Sequence, residues 1–337
     1  MPVRPLGITV SLVITLLLGS HATAFATVPE TATGTARPAA APPTATYRSG
    51  PVTVRVPRLT MRERPAASLG DVRARIVLPR ALAGRGYQLE ASGIAGTGAP
   101  DRNAFGQKIT CADAGNRIVA QSWSGTNTLN AEGGATVRNR LLFVPPRTGR
   151  YVCALRAYVN SHTLRPATQV LRSARLAVTR GAIPPRDLRT VSPRTVDTHV
   201  VTNRTYAIYS DSFRPRPTAR SVTVRKDLYI TSCYGGGGAG CPRGSFPRNG
   251  EAVYSLRHVL VPANRVCRSV RTPERTYRVS AARHHLGHHV DLTGVAPRGR
   301  PIGACGTWRT VTYLTKKPGL TFGLHAGAHD QLSWTAR

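Results

Sequence analysis

The stretch PVTVRV, residues Pro51 to Val56, alternates valine with polar or charged residues, which is the period of a β-strand with one buried face. Other apolar runs in the chain are equally short, and most end close to Gly, Pro or Asn. They cover residues 75–78, 87–89, 170–178, 200–209, 221–230, 254–261, 277–281 and 308–314. Because no amphipathic helical pattern separates them, the sequence predicts a mainly β protein with antiparallel strands, not a parallel α/β sheet.

Residues 1–26 have the features of a secretory signal peptide. Arg4 supplies a positively charged start, and the apolar run 6–18 is too short to span a bilayer comfortably. The triplet Ala24-Phe25-Ala26 then matches the pattern that a signal peptidase accepts. We therefore expect export by the general secretory route and a secreted product, beginning near Thr27, without a transmembrane segment.

Composition and turn residues divide the remaining chain into four predicted segments. Residues 27–46 are rich in Thr, Ala and Pro and predict a disordered spacer. Residues 47–180 form a first β-sandwich domain, 181–194 a Pro-containing linker, and 195–337 a second β-sandwich domain. The prediction is thus two tandem antiparallel sandwiches stapled by disulfides, with immunoglobulin-like character as one alternative.

A short internal similarity connects the two halves. Residues 137–146, VRNRLLFVPP, align without a gap on residues 254–263, YSLRHVLVPA. Arg140 matches Arg257, and a Val-Pro pair occupies the same place in both segments. The match indicates a duplicated domain, and chance similarity between two Val- and Arg-rich segments is the alternative.

The chain contains six cysteines, all after the predicted cleavage site: Cys111, Cys153, Cys233, Cys241, Cys267 and Cys305. An even number in an exported chain predicts three disulfides and no free thiol. In the first half Cys111 must pair with Cys153 if the domains do not exchange bonds. The resulting loop should stabilise that domain by about 4 kcal/mol.

Four cysteines in the second half allow three connectivities. The internal similarity favours Cys233–Cys267 as the counterpart of the first-half bridge, which leaves Cys241–Cys305. The short spacing between Cys233 and Cys241, across the Gly-rich residues 234–240, makes a local bridge the alternative.

A histidine cluster, His284, His285, His288 and His289, is the most distinctive polar feature. A helix would pair the imidazoles four residues apart, and a hairpin turning between His285 and His288 would pair them across two strands. Zn²⁺, Ni²⁺ and Cu²⁺ bind such pairs, with Asp291 as a further oxygen donor. The cluster is therefore a candidate metal site, with an exposed loop or turn as the alternative, and no cofactor is predicted.

No catalytic signature stands out. Ser210, Asp211, His258 and His325 supply the residue types of a Ser-His-Asp triad, but the chain has no Gly-x-Ser-x-Gly nucleophile elbow. The glycine run 235–238 lacks the Gly-Lys-Ser/Thr ending of a phosphate-binding loop. The sequence therefore gives no assignable active site.

Charge is the remaining clue to function. Lys and Arg total 47 against 15 Asp and Glu, a formal net charge of +32. The excess of Arg over Lys is typical of GC-rich codon usage, but the scarcity of acids makes the chain attract polyanions at low ionic strength. Arg225, Lys226, Lys316 and Lys317 are candidate anion contacts. Only 6% of residues are aromatic and no nucleic-acid motif occurs, so a specific nucleic-acid partner is not predicted.

Together these observations predict a secreted, non-enzymatic protein that binds anionic extracellular or cell-envelope surfaces, such as an envelope polymer or an acidic polysaccharide. The alternative is that the basic surface reflects only the base composition of the genome and binds no partner. Two other functions stay open. One is a secreted hydrolase with an unassigned active site, and the other is a secreted enzyme inhibitor that uses the loop 234–240.

Overall fold

The computed structural model describes residues 44–47, 52–55, 71–95, 103–128, 134–161, 168–192, 194, 196–232, 250–280 and 283–337. The predicted signal peptide and the loop 234–240 lie outside these residues. Most of the predicted spacer also lies outside them, and its last residues belong to the strand Thr44–Tyr47. Among the described residues, no helix is long and apolar enough to cross a lipid bilayer.

The first half of the described chain consists of antiparallel strands. They are β1 (Thr44–Tyr47), β2 (Val52–Arg55), β3 (Asp71–Ala81), β4 (Gly86–Ala95), β5 (Asn103–Ala112), β6 (Ile118–Thr128), β7 (Ala135–Phe143), β8 (Gly149–Ser161) and β9 (Thr168–Ile183).

The second half continues in the same way. Its strands are β10 (Leu188–Val191), β11 (Thr198–Val200), β12 (Thr205–Phe213), β13 (Ser221–Ser232), β14 (Glu251–Pro262), β15 (Val270–Arg271), β16 (Arg275–Ser280), β17 (His285–Val295), β18 (Trp308–Lys316), β19 (Phe322–Leu324) and β20 (Gln331–Ala336). Short 3₁₀ turns lie at Pro185–Asp187, Ile302–Cys305 and Gly327–His329.

The strands form three sheets. The β4 sheet has the order β1-β9-β4-β7, with β2 also on β9, and the β14 sheet has the order β12-β18-β14-β15, with β16 also on β14. A third sheet, called here the shared sheet, contains strands of both halves in the order β10-β20-β13-β17-β6-β5-β8-β3, with β19 on β13 and β11 on β19. Its two parts meet where β17 pairs with β6, at Leu286 and Thr126.

Each half packs its own hydrophobic core between one outer sheet and its part of the shared sheet. The first core includes Phe143 and Leu155, and the second includes Trp308 and Leu260, all with at most 1% of their surface exposed. Strand β13 shows how one face of a strand contributes to the core, because every second side chain from Val222 onward is buried. The predicted class, mainly β with disulfide-stapled antiparallel sandwiches, is confirmed.

The predicted linker, residues 181–194, contains more structure than expected. Its first residues extend β9, and its strand β10 pairs with the C-terminal strand β20, Leu188 lying opposite Thr335. Asp187 is buried and pairs with Arg216. The exact boundary between the two predicted domains stays a prediction.

Two disulfides lie in the described part of the chain. Cys111 and Cys153 face each other on β5 and β8 and are bonded, as predicted. Cys267 is bonded to Cys305, so the two pairings taken from the internal similarity, Cys233–Cys267 and Cys241–Cys305, are both wrong. The physical reason is position: Cys153 lies inside a strand, whereas Cys267 lies in the loop after β14, beside the 3₁₀ turn that carries Cys305. A local Cys233–Cys241 bridge lies outside the described residues and stays a prediction.

Candidate functional site

The four basic residues proposed as anion contacts do not form a common surface. Lys226 and Lys316 are buried, with 1% and 4% of their surface exposed, so they do not supply the exposed contacts expected from sequence. Lys316 Nζ lies 2.7 Å from Asn203 Oδ1. Arg225 forms an ion pair with Glu90 at 2.6 Å. Only Lys317 among the four is exposed.

Lys226 instead belongs to a buried polar chain inside the second core. Its ammonium lies 3.0 Å from Thr312 Oγ1, and His258 Nδ1 lies 2.8 Å from the same oxygen. Burial lowers the pKa of Lys226 to about 7. Burial, followed by the charge of Lys226, lowers the pKa of His258 to about 3. Both groups therefore resist protonation in the folded state.

The histidine cluster lies at the start of β17 and is neither a helix nor a hairpin. Strand pairing runs without interruption from His285 opposite Thr231 to Val295 opposite Ser221. Successive side chains of a strand point to opposite faces, so the four imidazoles divide between two environments. His284 Nδ1 lies 2.7 Å from Ser232 Oγ.

No group of three or more His, Cys, Asp or Glu side chains in the described part of the chain is arranged to hold a metal ion. His288 Nε2 lies 2.7 Å from the Tyr254 hydroxyl in the second core. Burial, followed by His289 and His258, lowers the pKa of His288 to about 3. The metal-site hypothesis therefore receives no support from these residues.

His289 takes part in a Ser-His-Asp arrangement between the halves. Ser124 Oγ, on β6, lies 3.1 Å from His289 Nε2, and His289 Nδ1 lies 2.6 Å from Asp227 Oδ1. An ionised carboxylate can only accept, so Nδ1 donates to Asp227, and in the neutral imidazole Nε2 is left to accept from the serine hydroxyl. Ser124, however, is 3% exposed and lies within a strand, not on a tight turn.

Arg140, on β7, completes this arrangement. Its guanidinium pairs with Asp227 at 2.7 Å and also bonds Asp291, while its own side chain is 11% exposed. Burial alone would raise the pKa of Asp227, but Arg140 and His289 outweigh burial and lower it. Asp227 therefore stays ionised, and one chain of polar contacts links β6, β17, β13 and β7.

A second hydroxyl-histidine-carboxylate chain lies near the first. Thr231 Oγ1 is 2.9 Å from His325 Nε2, and His325 Nδ1 is 3.3 Å from Asp197 Oδ2. The other residues considered from sequence do not join it. Asp211 lies 3.6 Å from Arg189, and His258 bonds Thr312. Such chains thus recur along β13, which carries both Asp227 and Thr231.

A cleft of about 280 Å³ opens beside Arg140, between the outer face of the β4 sheet and β17. We call it the junction cleft. Its lining includes Glu90, Ser92, Arg138, Arg140, Arg175, His289 and Asp291. Arg138 and Arg175 are exposed and have no hydrogen bond or ion pair within the described residues.

The outer face of the β14 sheet carries a different group of arginines. Arg257, Arg271 and Arg309 lie on three neighbouring strands and are exposed. Arg257 lies opposite Tyr313, with its guanidinium carbon 5.0 Å from the ring centroid. A groove of about 350 Å³, floored by valines and Pro262, runs along the same face. We call this surface the arginine face.

Sequence reasoning missed both surfaces. The internal similarity drew attention to Arg140 and Arg257. It did not predict that the side chain of Arg140 would be largely buried and that of Arg257 exposed. Ser124 and Asp227 carried no signal, because a triad is defined by geometry and these residues are far apart in the chain.

Comparisons with known proteins place the chain in no family. No family model and no curated protein matches it. The tandem CBM22-1–CBM22-2 domain of Xyn10C from Paenibacillus barcinonensis is similar over 87% of this chain and 93% of that chain, at 9% identity and a TM-score of 0.22. The structure of broad bean stain virus is similar over 87% and 88%, at 6% identity and a TM-score of 0.26. A protein described as secreted, from Parabacteroides distasonis, is similar over 86% and 91%, at 9% identity and a TM-score of 0.16. Such low TM-scores support no functional argument.

Proposed function

We propose that this is a secreted, non-enzymatic binding protein that holds an anionic extracellular or cell-envelope polymer against its arginine face. The supporting observation is that Arg257, Arg271 and Arg309 are exposed on adjacent strands without a carboxylate partner among the described residues. Export is proposed from the signal-peptide features of the sequence and fits the disulfides in the described chain.

Strand geometry explains how the arginine face could follow a polymer. Arg271 lies opposite Val259 on one side of β14, and Arg309 lies opposite Val261 on the other side. Adjacent strands are about 4.8 Å apart, so these two arginines are roughly 10 Å apart across the sheet. Guanidinium groups at such intervals can contact successive carboxylates or sulfates of one chain.

Among the described residues, the nearby acids form no ion pair with Arg257, Arg271 or Arg309. Glu251 pairs with Arg278 at 2.7 Å, and Glu274 accepts a hydrogen bond from the Ser255 hydroxyl. An approaching polyanion would therefore meet unpaired guanidinium groups beside the aromatic ring of Tyr313. The same geometry would leave a neutral polymer without its main contacts.

The test is retention of the mature protein on polygalacturonate beads from low to high salt, with neutral dextran beads as a reference. Replacing Arg257, Arg271 and Arg309 together with Ala should weaken binding about tenfold at low salt, since each exposed ion pair contributes about 0.2–1 kcal/mol. Retention of the unaltered protein should fall as salt rises.

A matched triple variant at Arg75, Arg80 and Arg150 removes the same charge from exposed positions in the first half. It should weaken binding much less than the arginine-face variant. Equal weakening by the two variants would mean that only total charge matters, and salt-independent retention would reject an electrostatic contact altogether.

A second candidate function, hydrolysis, is favoured by the geometry of Ser124, His289 and Asp227. In such an enzyme Ser124 Oγ would attack an acyl carbon while His289 Nε2 takes its proton. If so, a fluorophosphonate probe should label Ser124 in the native protein but not in Ser124→Ala. Absence of labelling in the folded protein would remove this candidate and would leave the arginine-face proposal untouched.

A further inference from the structure

The junction cleft is separate from the arginine face and has a different mixture of charges. It lies between the two halves, where ligand pockets often form, and its volume of about 280 Å³ suits a small ligand. Arginine side chains reach it from β7 and β9, and carboxylates reach it from β4 and β17.

The carboxylates of the cleft already have cationic partners. Arg140 bonds Asp291, and Arg225 pairs with Glu90 at 2.6 Å. Glu90 and Asp291 nevertheless keep 38% and 48% of their side-chain surface exposed, so their remaining oxygen lone pairs can accept hydrogen bonds from a ligand.

Arg138 and Arg175 are the two cations of the cleft left without partners in the described chain. They lie on opposite sides of Ser92, which pairs with Arg138 on β7 and with Arg175 on β9. Their Cα atoms are therefore roughly 10 Å apart, a span that two long side chains can close over one anionic group.

The two free arginines and the two partly exposed carboxylates together favour some anions over others. A compact anion such as phosphate gains from the two free arginines but offers few hydroxyl donors to the free lone pairs of Glu90 and Asp291. A sugar with one carboxylate can satisfy both sides, because its carboxylate faces the guanidinium groups and its hydroxyls donate to the acidic side chains.

We propose that the junction cleft binds a single carboxylate-bearing sugar residue, held by Arg138 and Arg175 with Ser92 between them. Glu90 and Asp291 accept hydrogen bonds from its hydroxyls. The site recognises one sugar residue by shape and paired charges, and it does not depend on the arginine face.

The experiment measures binding of D-glucuronate to the full mature protein by calorimetry, with D-glucose and inorganic phosphate as comparison ligands. Glucuronate should bind more tightly than either. The double variant Arg138→Ala/Arg175→Ala should lose at least about tenfold in glucuronate affinity, since hydrogen bonds to charged groups are strong. Arg138→Lys/Arg175→Lys should retain part of it, because lysine keeps the charge but not the bidentate fork.

The control is Arg75→Ala/Arg80→Ala, which removes equal charge from exposed positions of β3 outside both proposed sites and should leave glucuronate affinity unchanged. Melting temperatures of all variants report whether they fold. No glucuronate binding, equal loss in the control, or tighter binding of phosphate would each overturn the proposal. None of these outcomes bears on polymer retention by the arginine face, which the bead assay measures separately.

Discussion

Arg140 and Arg257 occupy matching places in two similar strand sequences, yet one is covered and the other is open. Arg140 points from the β4 sheet toward the second half, where Asp227 and Asp291 bind it. Arg257 points from the β14 sheet into solvent, with its guanidinium over the ring of Tyr313. The same outward position therefore holds an arginine that pairs with acids of the other half in one case and an exposed arginine in the other.

The inward positions of the two strands differ as well. Leu141 is buried in the first core, whereas its counterpart His258 lies in the second core with Thr312 and Lys226. The first core thus has an apolar side chain where the second has part of a titratable chain. Stability of the second half should therefore depend more strongly on pH.

The largest change in the free energy of unfolding is expected from replacing Arg140. Arg140→Met should lower the free energy of unfolding by about 3 kcal/mol, because it leaves the buried carboxylate of Asp227 with only His289 to compensate it. Urea-induced unfolding measures the change. A loss below 0.5 kcal/mol would show that the junction contributes little to stability.

A smaller effect of opposite sign is expected inside the second core. Lys226→Met should raise the free energy of unfolding by about 2 kcal/mol at pH 7, since it replaces a buried amine by an apolar chain of similar size. The folded pKa of Lys226 is lowered to about 7 from the usual 10.5, so the unaltered protein loses stability as pH falls through that window. The gain should therefore grow from pH 10.5 to pH 7 and then level off.

Leu141→Met in the first core is the matched control for this pH series. Its effect on unfolding should be the same at every pH, because neither side chain titrates. A gain for Lys226→Met that is constant with pH would contradict the proposed origin of the effect.

The smallest change in the free energy of unfolding is expected for the exposed Arg257. Arg257→Met should change the free energy of unfolding by less than about 0.5 kcal/mol, because an exposed side chain over an aromatic ring adds little. The same urea titration used for Arg140→Met gives the comparison. A loss as large as that of Arg140→Met would mean that the arginine face is itself packed against another part of the protein.

Local patterns predicted strands such as β3, β13 and β14 but missed others such as β5, β6 and β8, and contacts between distant residues were beyond their reach. The apolar run that predicted β13 is informative because Val222, Leu228 and Ile230 are among its buried side chains. Strand β17 escaped prediction because histidines fill its early positions, where partners such as Ser232 and Tyr254 satisfy them. No local pattern could show that these partners, far away in the sequence, would be present.

The second disulfide and the ion pairs of Arg140 also depend on residues that are far apart in the sequence. The Cys267–Cys305 bond depends on which two loops meet at one end of the second sandwich, and the sequence similarity between the halves did not encode that meeting. The pairing of Arg140 with Asp227 and Asp291 likewise depends on how the halves pack.

The shared sheet also constrains the order in which the chain can assemble. During synthesis the first half emerges before β17 exists, so the edge of β6 at Thr126 must wait unpaired. Its partner arrives only when Leu286 can reach Thr126, a closure that a long intervening chain makes slow. An unpaired strand edge is a template for pairing with another copy. The interval before β17 docks is therefore one in which this edge can pair with another copy of the chain.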